Sequence, residues 1–389
     1  MTFRGWFRTF ISTLAISILV TCCTFPSTPV KEATLQPGVA QPSSIASSPS
    51  ANLALNQLAE IDPIVTNTLT PKGPGVAVLL LKNNQIVHAK GYGFANIDSQ
   101  QRITPETTFD LASVSKQITA IALLKLVQVG KIDLAAPVTQ YLPEFYDRTQ
   151  SVTTRHLLHH TSGLADYSGK EWDGTDKEFA QLDLEKHLRW LNQHQPHRPP
   201  GIKFEYNNSG YALLALIVQR VAQKPFWQFA QDDIFAPLGM AQTQILHAAD
   251  QKIPNRSLGY LVGKAGSKIR RSAVPTIIQG DGNVFSSIVD LAKYDIALRT
   301  DRLISPELKA KAFSLGQFDN GRSIQDEGEG YGFGWYITAN YIHHSGSWYG
   351  TSTYYRHYLQ QPVTLILLSN DENYSATDLA DKIADLLKL

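Results

Sequence analysis

Strand-forming patterns lie at the two ends of this chain, and a long region of helical pattern separates them. The apolar run from Gly75 to Lys82 is followed by the dipeptide Asn83-Asn84 and by a second run from Gln85 to Gly91. Two such runs joined by a two-residue turn predict a β-hairpin. Four further strands are predicted in the last part of the chain, over 332–339, 343–345, 351–358 and 363–369.

Hydrophobic periodicity predicts helices over 54–69, 113–130, 155–160, 182–192, 210–222, 227–234, 287–298 and 378–387. Most of them fall between residues 120 and 300. Strands and helices at both ends with a helical block between them predict a split α/β domain that carries an inserted helical domain. The cleft between two such parts is a common place for a substrate.

The first residues have the pattern of an export signal. Arg4 and Arg8 precede an apolar core, Ile11 to Val20, which is shorter than an ordinary membrane span. The stretch from Leu19 to Cys22, followed by Cys23, resembles a bacterial lipobox, in which a lipidated cysteine becomes the mature N-terminus. A lipoprotein, a cleaved soluble protein and an uncleaved anchor remain as alternatives, and each places the domain outside the cytoplasm.

We therefore expect a signal peptide over 1–25, a Ser-, Pro- and Thr-rich tether over 26–52 and a folded domain over 53–389. Cys22 and Cys23 are the two cysteines of the chain, so the folded region can have neither a disulfide framework nor a Cys-rich zinc site. The formal net charge of +1 lacks the clustered basic excess of nucleic-acid-binding proteins. We expect no nucleic-acid partner, and membrane attachment through a lipidated Cys22 or Cys23.

The segment from Ser113 to Lys116 is an S-x-x-K motif at a predicted strand-to-helix junction. Residues at i and i+3 share one helix face, so Lys116 can reach the Ser113 hydroxyl. A serine hydroxyl is a weak nucleophile at neutral pH and needs a base, and a lysine serves only if its pKa is lowered. The motif predicts Ser113 as a nucleophile and Lys116 as its proton acceptor.

Two later segments carry further candidates. In Tyr206-Asn207-Asn208 the phenol can relay a proton, and the carboxamide of Asn208 can hold a substrate amide oxygen. In the segment from His344 to Ser347 a glycine, Gly346, lets a substrate backbone lie close to the strand. The main-chain N–H of Ser347 can pair with that of the predicted nucleophile as an oxyanion hole.

Taken together and in this order, the three segments resemble the serine β-lactamase and penicillin-binding protein superfamily, which uses S-x-x-K, a second polar triplet and a K-T-G-type strand. The chain is most similar to the branch of class C β-lactamases, DD-peptidases and related esterases. That branch has Tyr-x-Asn as its second motif, and many members have His-x-Gly as the third. The further matching segments are Phe109 to Ala120, Leu157 to Leu164, Gly282 to Leu291, Tyr331 to Trp335 and His344 to Trp348.

The resemblance covers about residues 55 to 389 and implies an α/β (α+β) fold of the β-lactamase/transpeptidase type. In that fold an antiparallel sheet is flanked by helices and an all-helical subdomain, here about 120–300, is inserted. The resemblance also implies an exported serine hydrolase that forms an acyl-enzyme with an ester, an amide, a D-amino-acid peptide or a β-lactam, without a metal or organic cofactor. The implied catalytic residues are Ser113, Lys116 and Tyr206, and the implied substrate-binding residues are Asn208, His344, Gly346 and Ser347.

Two departures from the branch affect this interpretation. His344 stands where true class C β-lactamases have a lysine, which favours an esterase or a peptidase over an efficient β-lactamase. Asn207 stands where serine is commoner, and we expect this change to have little effect. No glutamate can be assigned as a deacylation base of the class A type, so Tyr206 with Lys116 is the expected pair for activating water.

Other interpretations are weaker. His156, His159 and His160 lack the H-E-x-x-H spacing of a metal site, so we expect them to pack structurally. His343 and His344 are adjacent on a predicted strand and should face opposite ways, and the resemblance favours His344 as the one in the cleft. A non-catalytic envelope-binding protein on the same scaffold is the alternative function, but the complete Ser, Lys and Tyr set favours an enzyme.

Overall fold

The computed structural model describes residues 55–145, 151–169, 171–263, 269–271, 276–326 and 328–389. The predicted signal peptide, the predicted tether and the two candidate lipidation sites, Cys22 and Cys23, lie outside these residues. Within the described ranges, no helix has both the length and the apolar character needed to cross a membrane.

The main sheet joins strands from the two ends of the chain. Its eight strands run in the order β10-β11-β12-β13-β14-β15-β1-β2, and each pair of neighbours is antiparallel. The strands of this sheet are β1 Val76–Lys82, β2 Gln85–Tyr92, β10 Gln325–Asp326, β11 Glu329–Tyr331, β12 Tyr336–Ile337, β13 Tyr341–Trp348, β14 Thr351–Tyr358 and β15 Val363–Ser369. The predicted antiparallel sheet flanked by helices is therefore confirmed.

Shorter strands form three small sheets. They are β3 Phe94–Asn96 with β4 Gln101–Arg102, then β5 Phe109–Asp110, β9 Val284–Ser286 and β6 Gln244–Ile245, and finally β7 Tyr260–Val262 with β8 Ile269–Arg271. The sheet β5-β9-β6 matters for the site, because it ties the segment before Ser113 to the segment after Asp281.

The helices are α1 Leu55–Ala59, α2 Ile61–Thr66, α3 Lys116–Gln128, α4 Thr154–Leu158, α5 Asp176–Ala180, α6 Leu184–Leu191, α7 Asn208–Ala222, α8 Phe226–Ala230, α9 Ile288–Arg299, α10 Pro306–Ala312 and α11 Ala376–Leu387. Short 3-10 turns cover Ala112–Ser115, Val138–Gln140 and Ala236–Leu238, and a π-helical turn covers Gln231–Phe235.

Helices cover both faces of the sheet because its central strands are apolar on both sides. Along β1, Leu79 and Leu81 belong to the large core that α3 and α9 help to form, whereas Val78 and Leu80 belong to a second core that includes Ile383 of α11. Side chains of a strand alternate between its faces, which explains this division. Each buried leucine contributes roughly 1.5–3 kcal/mol of transfer free energy, so the two cores fix the sheet between its helical layers.

Three details differ from the sequence prediction. The region 120–300 is mainly helical but also contains β6 to β9. The first turn of the predicted 113–130 helix is a 3-10 turn, and the α-helix begins at Lys116. Of the predicted strand 332–339 only Tyr336–Ile337, which is β12, is a strand. Its first residues form a turn after β11 instead, because Gly332 donates its N–H to the carbonyl oxygen of Trp335 over 2.9 Å.

Candidate active site

Ser113 lies in a strained turn between β5 and α3. Ala112 has a φ of +47°, a left-handed conformation that is uncommon for a residue with a β-carbon. The carboxylate of Asp110 accepts the Ala112 N–H at 2.9 Å and so supports this conformation. Ser113 is half-buried while both of its neighbours are buried. The turn therefore presents the Ser113 side chain to a cavity rather than to the core.

Strand β13 runs directly beside this turn. A β-carbon on Gly346 would lie 2.5 Å from the carbonyl oxygen of Leu111 and 2.3 Å from Oγ1 of Thr353. Because only glycine lacks a β-carbon, Gly346 permits the strand to approach the turn this closely. This approach brings Ser347 and Ser113 to the wall of one cavity.

Lys116 is fully buried and makes three contacts through Nζ. The ammonium nitrogen lies 3.2 Å from Oγ of Ser113, 2.7 Å from Oδ1 of Asn208 and 3.0 Å from the main-chain oxygen of Asp281. Burial lowers the pKa of Lys116 to about 8, although the carboxylates of Asp281 and Asp166 act in the opposite direction. A lysine with this pKa can exchange its proton near neutral pH.

Tyr206 lies over Lys116, with Nζ 4.8 Å from the centre of its ring. Its hydroxyl is buried and has no hydrogen-bond partner among the described residues. Burial raises the pKa of Tyr206 well above its usual range, and the nearby Ser113 hydroxyl only partly opposes this effect. The phenol is therefore neutral and is available as a proton donor.

Asn207 and Asn208 have different roles. Asn207 is the N-cap of α7, because its Oδ1 accepts the N–H of Gly210 at 2.7 Å, and asparagine and serine are both good N-caps. Asn208 accepts from Lys116 through Oδ1 and donates from Nδ2 to Oγ of Ser168 at 2.7 Å. An amide nitrogen carries two hydrogens and Asn208 lines the cavity, so its second N–H can donate to a substrate there.

His344 lies behind the cavity wall and not in it. Its Nδ1 lies 2.6 Å from the carbonyl oxygen of Ser345, which can only accept, so Nδ1 carries the proton and Nε2 accepts from the Tyr331 hydroxyl at 3.2 Å. Burial lowers the pKa of His344 to about 3, and the positive charge of Lys116 contributes. His344 is thus a neutral, buried residue.

A second histidine continues this chain of hydrogen bonds. Nδ1 of His160 accepts the N–H of Asn207 at 3.0 Å, so its proton is on Nε2, which lies 3.1 Å from the Tyr331 hydroxyl. The ring of His160 also lies 4.3 Å from that of Tyr206. His160 therefore donates to the Tyr331 hydroxyl, which in turn donates to His344. These two hydrogen bonds connect the residues that lie behind the cavity.

The other histidines singled out from the sequence serve the fold. His156 closes a capping box at the start of α4 and pairs with Asp319, and the ring of His159 lies 4.8 Å from that of Phe333. His343 faces away from His344 and hydrogen-bonds Glu329 at 3.0 Å. Over the ranges that the structure describes, no group of three His, Cys, Asp or Glu residues is arranged to hold a metal ion.

A cavity of about 170 Å³ connects these residues. Of the residues singled out from the sequence, Ser113, Tyr206, Asn208 and Ser347 line it, Lys116 lies at its base beside Ser113, and His344 and Gly346 support its wall from behind. The lining residues are Ala112, Ser113, Tyr167, Tyr206, Asn208, Thr276, Ile278, Asp281, Gly282, Asn283, Ser347 and Trp348.

Asp281 and Tyr167 are the site residues that the sequence patterns did not reveal. The hydroxyl of Tyr167 donates to Oδ2 of Asp281 over 2.6 Å. Burial raises the pKa of Asp281 to about 6, with Lys116 and Tyr167 acting in the opposite direction. Asp281 directly precedes the Gly282 to Leu291 segment, so its position beside a glycine-rich stretch was the available signal.

Comparisons with known proteins agree with this geometry. A family model described as Beta-lactamase matches residues 61–388. Penicillin-binding protein 4* of Bacillus subtilis (strain 168) is 32% identical over 318 residues, which cover 76% of this chain and 68% of that protein. The crystal structure of a penicillin-binding protein from Bacillus halodurans matches with a TM-score of 0.72 and 26% identity, covering 84% of this chain and 98% of the other.

A third similarity shows the fold alone. The D-amino acid amidase from Ochrobactrum anthropi SV3, in complex with L-phenylalanine amide, matches with a TM-score of 0.71 and 22% identity. The match covers 86% of this chain and 99% of the amidase.

Proposed function

This chain belongs to the Beta-lactamase family and is a serine hydrolase, and from this premise we propose that it forms an acyl-enzyme through Ser113. One observation carries the proposal, the placement of Lys116 Nζ within 3.2 Å of the Ser113 hydroxyl at the base of a cavity. Nucleophile and base are within reach of each other, as covalent catalysis requires.

Lys116 acts as the general base. When it is neutral, its two N–H groups donate to Asn208 Oδ1 and to the Asp281 carbonyl oxygen, neither of which can donate in return. The lone pair is then directed at the third neighbour, Ser113, and accepts the hydroxyl proton. The Ser113 oxygen attacks the substrate carbonyl carbon, and the main-chain N–H groups of Ser113 and Ser347 stabilise the oxyanion.

Tyr206 acts as the proton donor to the leaving group. Its neutral phenol gives its proton to the leaving oxygen or nitrogen as the carbonyl–leaving-group bond breaks, and it regains a proton from the Lys116 ammonium. In the second half of the reaction water attacks the acyl carbon, and its proton goes to Tyr206 as Tyr206 passes its own phenolic proton to the neutral Lys116. When the bond between the acyl carbon and the Ser113 oxygen breaks, the Lys116 ammonium returns a proton to that oxygen. Asn208 and Ser347, which line the cavity, orient the substrate, and His344 positions Tyr206 from behind.

The proposed substrates are esters, amides and D-amino-acid peptides. We do not propose that the enzyme turns over β-lactams efficiently. The neutral, buried state of His344 supports this choice, since it offers no positive charge to a substrate carboxylate. Comparing the turnover of a chromogenic cephalosporin with that of a p-nitrophenyl ester tests the choice.

The test of the acyl-enzyme is a mass measurement on the intact protein. A fluorophosphonate should add one phosphonyl group to Ser113, and the Ser113→Ala variant should gain none. Ser99→Ala, which removes an exposed serine that does not line the cavity, should label like the wild type. Labelling elsewhere, or no labelling by a fluorophosphonate or a penicillin, would overturn the proposal.

We also propose export, on the basis of the N-terminal sequence. A lipid on Cys22 or Cys23 would hold the enzyme at the outer face of a membrane through the 26–52 tether. Metabolic labelling with an alkynyl fatty acid, compared between the wild type, Cys22→Ser and Cys23→Ser, identifies the modified cysteine. A soluble exported protein without label would support cleavage instead.

A further inference from the structure

A series of side-chain hydrogen bonds connects the proposed base to a carboxylate on the loop between α4 and α5. Nζ of Lys116 donates to Oδ1 of Asn208 at 2.7 Å, and Nδ2 of Asn208 donates to Oγ of Ser168 at 2.7 Å. Oγ of Ser168 in turn donates to Oδ1 of Asp166 at 2.9 Å. This hydrogen-bond series therefore ends at Asp166.

Asp166 also holds the main chain at two of these residues. Its Oδ2 accepts the N–H of Asn208 at 2.9 Å, and its Oδ1 accepts the N–H of Ser168 at 2.9 Å. The N–H of Asn208 lies in the first turn of α7, where main-chain N–H groups have no partner within the helix. The carboxylate thus fixes the positions of both residues in addition to accepting the Ser168 hydroxyl proton.

The carboxylate sets the direction of every hydrogen bond in the series. Because a carboxylate can only accept, the Ser168 hydroxyl gives its one hydrogen to Asp166, and Oγ is left to accept. The carboxamide nitrogen of Asn208 must then face Ser168. The carboxamide oxygen consequently faces Lys116.

This direction matters when Lys116 is neutral. A charged lysine can only donate, so it selects the carboxamide oxygen of Asn208 by itself. A neutral lysine has a lone pair as well, and it could accept from the nitrogen of a rotated Asn208 carboxamide. The lone pair would then be occupied, an N–H would point at Ser113, and the base could not take the hydroxyl proton.

We propose that Asp166 is a positioning residue of the hydrolase, which acts through Ser168 and Asn208 to keep the carboxamide oxygen toward the base. The lone pair of neutral Lys116 then stays directed at the nucleophile. This inference rests on the proposed acyl-enzyme function and assigns a role in it to a residue outside the lining of the cavity.

The pKa of Lys116 reports on this orientation. The carboxylate of Asp166 raises that pKa, and a rotated Asn208 carboxamide would lower it, because it could donate only to the neutral amine. Loss of Asp166 should therefore lower the pKa of Lys116 in two ways. Entry of water into the site would raise it instead, since burial is what lowers it.

Other titratable side chains near Lys116 keep their charge above pH 7. Burial keeps two histidines neutral and two phenols protonated, and it raises the pKa of one carboxyl to about 6. These residues are His160, His344, Tyr206, Tyr211 and Asp281. A shift of the activity profile above pH 7 therefore reports a change in the pKa of Lys116.

The experiment compares the pH dependence of kcat/KM for p-nitrophenyl acetate between the purified full-length wild type and three variants, from pH 6 to 9.5. In Asp166→Asn we expect the midpoint of the rise to fall by about one pH unit and the plateau to fall by about 10- to 100-fold. Ser168→Ala removes the hydroxyl but keeps the carboxylate. Its plateau should fall by about tenfold, and its midpoint should fall by less than in Asp166→Asn.

Glu171→Gln is the matched control, because Glu171 is a carboxylate of the same loop that lies outside the hydrogen-bond series. Its Oε2 accepts the main-chain N–H of Asp166 at 2.9 Å. This variant should keep the midpoint and the plateau of the wild type. A shift as large as that in Asp166→Asn would overturn the inference.

The other outcomes are equally decisive. An unchanged or raised midpoint in a folded Asp166→Asn overturns the inference, and a raised one shows that the residue only keeps water out. If Asp166→Asn does not fold, Ser168→Ala decides by the same criterion. A shift in Asp166→Asn without any effect of Ser168→Ala assigns a purely electrostatic role to Asp166 and also overturns it. If fluorophosphonate labels Ser113 but the wild-type profile is flat, this inference fails and the acyl-enzyme stands. If Ser113 is not labelled, both fail.

Discussion

Nζ of Lys116 donates to Oδ1 of Asn208 over 2.7 Å, which links the S-x-x-K turn to the first residue of α7 across 92 positions of sequence. This bond and the one to the Asp281 carbonyl oxygen occupy two directions of the nitrogen. The third direction faces Ser113. The orientation of the base is therefore set by two acceptors that remain in place whether Lys116 is charged or neutral.

The pH dependence of the reaction should follow Lys116. Because burial lowers its pKa to about 8, the base is mostly protonated and inactive below that pH, so kcat/KM for a neutral ester should rise with pH through about 8 and then level off. Lys116→Arg keeps the positive charge but cannot release a proton at these values, so it should lose activity across the whole range. A flat wild-type profile between pH 6 and 9 would argue against Lys116 as the base.

Removing the Tyr206 hydroxyl should lower the activity of the enzyme without lowering its stability. In Tyr206→Phe we expect kcat to fall by about 10²- to 10⁴-fold, the usual contribution of a general acid. Stability to urea should be unchanged or higher, because the lost hydroxyl is buried and has no hydrogen bond to any residue that the structure describes.

Tyr211→Phe is the matched control for this variant. The Tyr211 hydroxyl donates to the carbonyl oxygen of Leu158 at 2.9 Å in the core. Its removal should cost about 1–3 kcal/mol of the free energy of unfolding, since it leaves a buried carbonyl unpaired, and should change kcat little. If Tyr206→Phe and Tyr211→Phe changed kcat and the free energy of unfolding to the same extent, the result would contradict the role of Tyr206 as proton donor.

The residue at position 344 should affect the activity of the enzyme on substrates that carry a carboxylate. A longer, charged side chain in His344→Lys can extend past Tyr206, whose ring centre lies 6.1 Å from that of His344. We expect the ratio of kcat/KM for a chromogenic cephalosporin to that for p-nitrophenyl acetate to rise at least about tenfold, as a new charge-assisted contact would provide. His344→Gln also loses the imidazole but stays neutral, and an equal rise there would contradict the explanation.

Asp295 should matter for stability rather than for catalysis. This fully buried carboxylate accepts from His357 at 2.7 Å, Arg299 at 3.0 Å and Thr364 at 2.9 Å, between α9 and the sheet. Asp295→Ala leaves Arg299 without its buried partner and should cost about 3–5 kcal/mol of the free energy of unfolding, measured by urea denaturation. Asp98→Ala, at an exposed position, should change it by no more than about 0.5 kcal/mol.

Asp295 should also affect how the free energy of unfolding depends on pH in acid. Burial alone would raise the pKa of Asp295, but His357 and Arg299 together hold it well below its usual value. A carboxylate with a lowered pKa contributes its stability fully above its unfolded pKa of about 4, and loses that contribution as the pH falls further. The difference in unfolding free energy between the wild type and Asp295→Ala should therefore shrink below about pH 4. A constant difference down to pH 2 would contradict this account.

Much of the architecture could be predicted from local sequence. The hairpin of β1 and β2, the strands β14 and β15 and the helices α7 and α9 agree with the predicted positions within a few residues, because alternation and helical periodicity are properties of neighbouring residues. The short strands β6 to β9 could not be predicted in this way, since two or three residues are too few to show a period and are strands only because they are paired.

For the site, the sequence by itself determined the pairing of Ser113 with Lys116, since i and i+3 meet wherever a helical turn forms. It also determined that Tyr206, Asn208 and the His344 to Ser347 strand are candidates. Only the tertiary structure decided the chemical state of these groups. Asp281 approaches Lys116 from 165 positions away, and the low pKa of Lys116, the neutrality of His344 and the raised pKa of Asp281 all result from burial. Burial depends on what the rest of the chain places around a residue, and no local pattern encodes it.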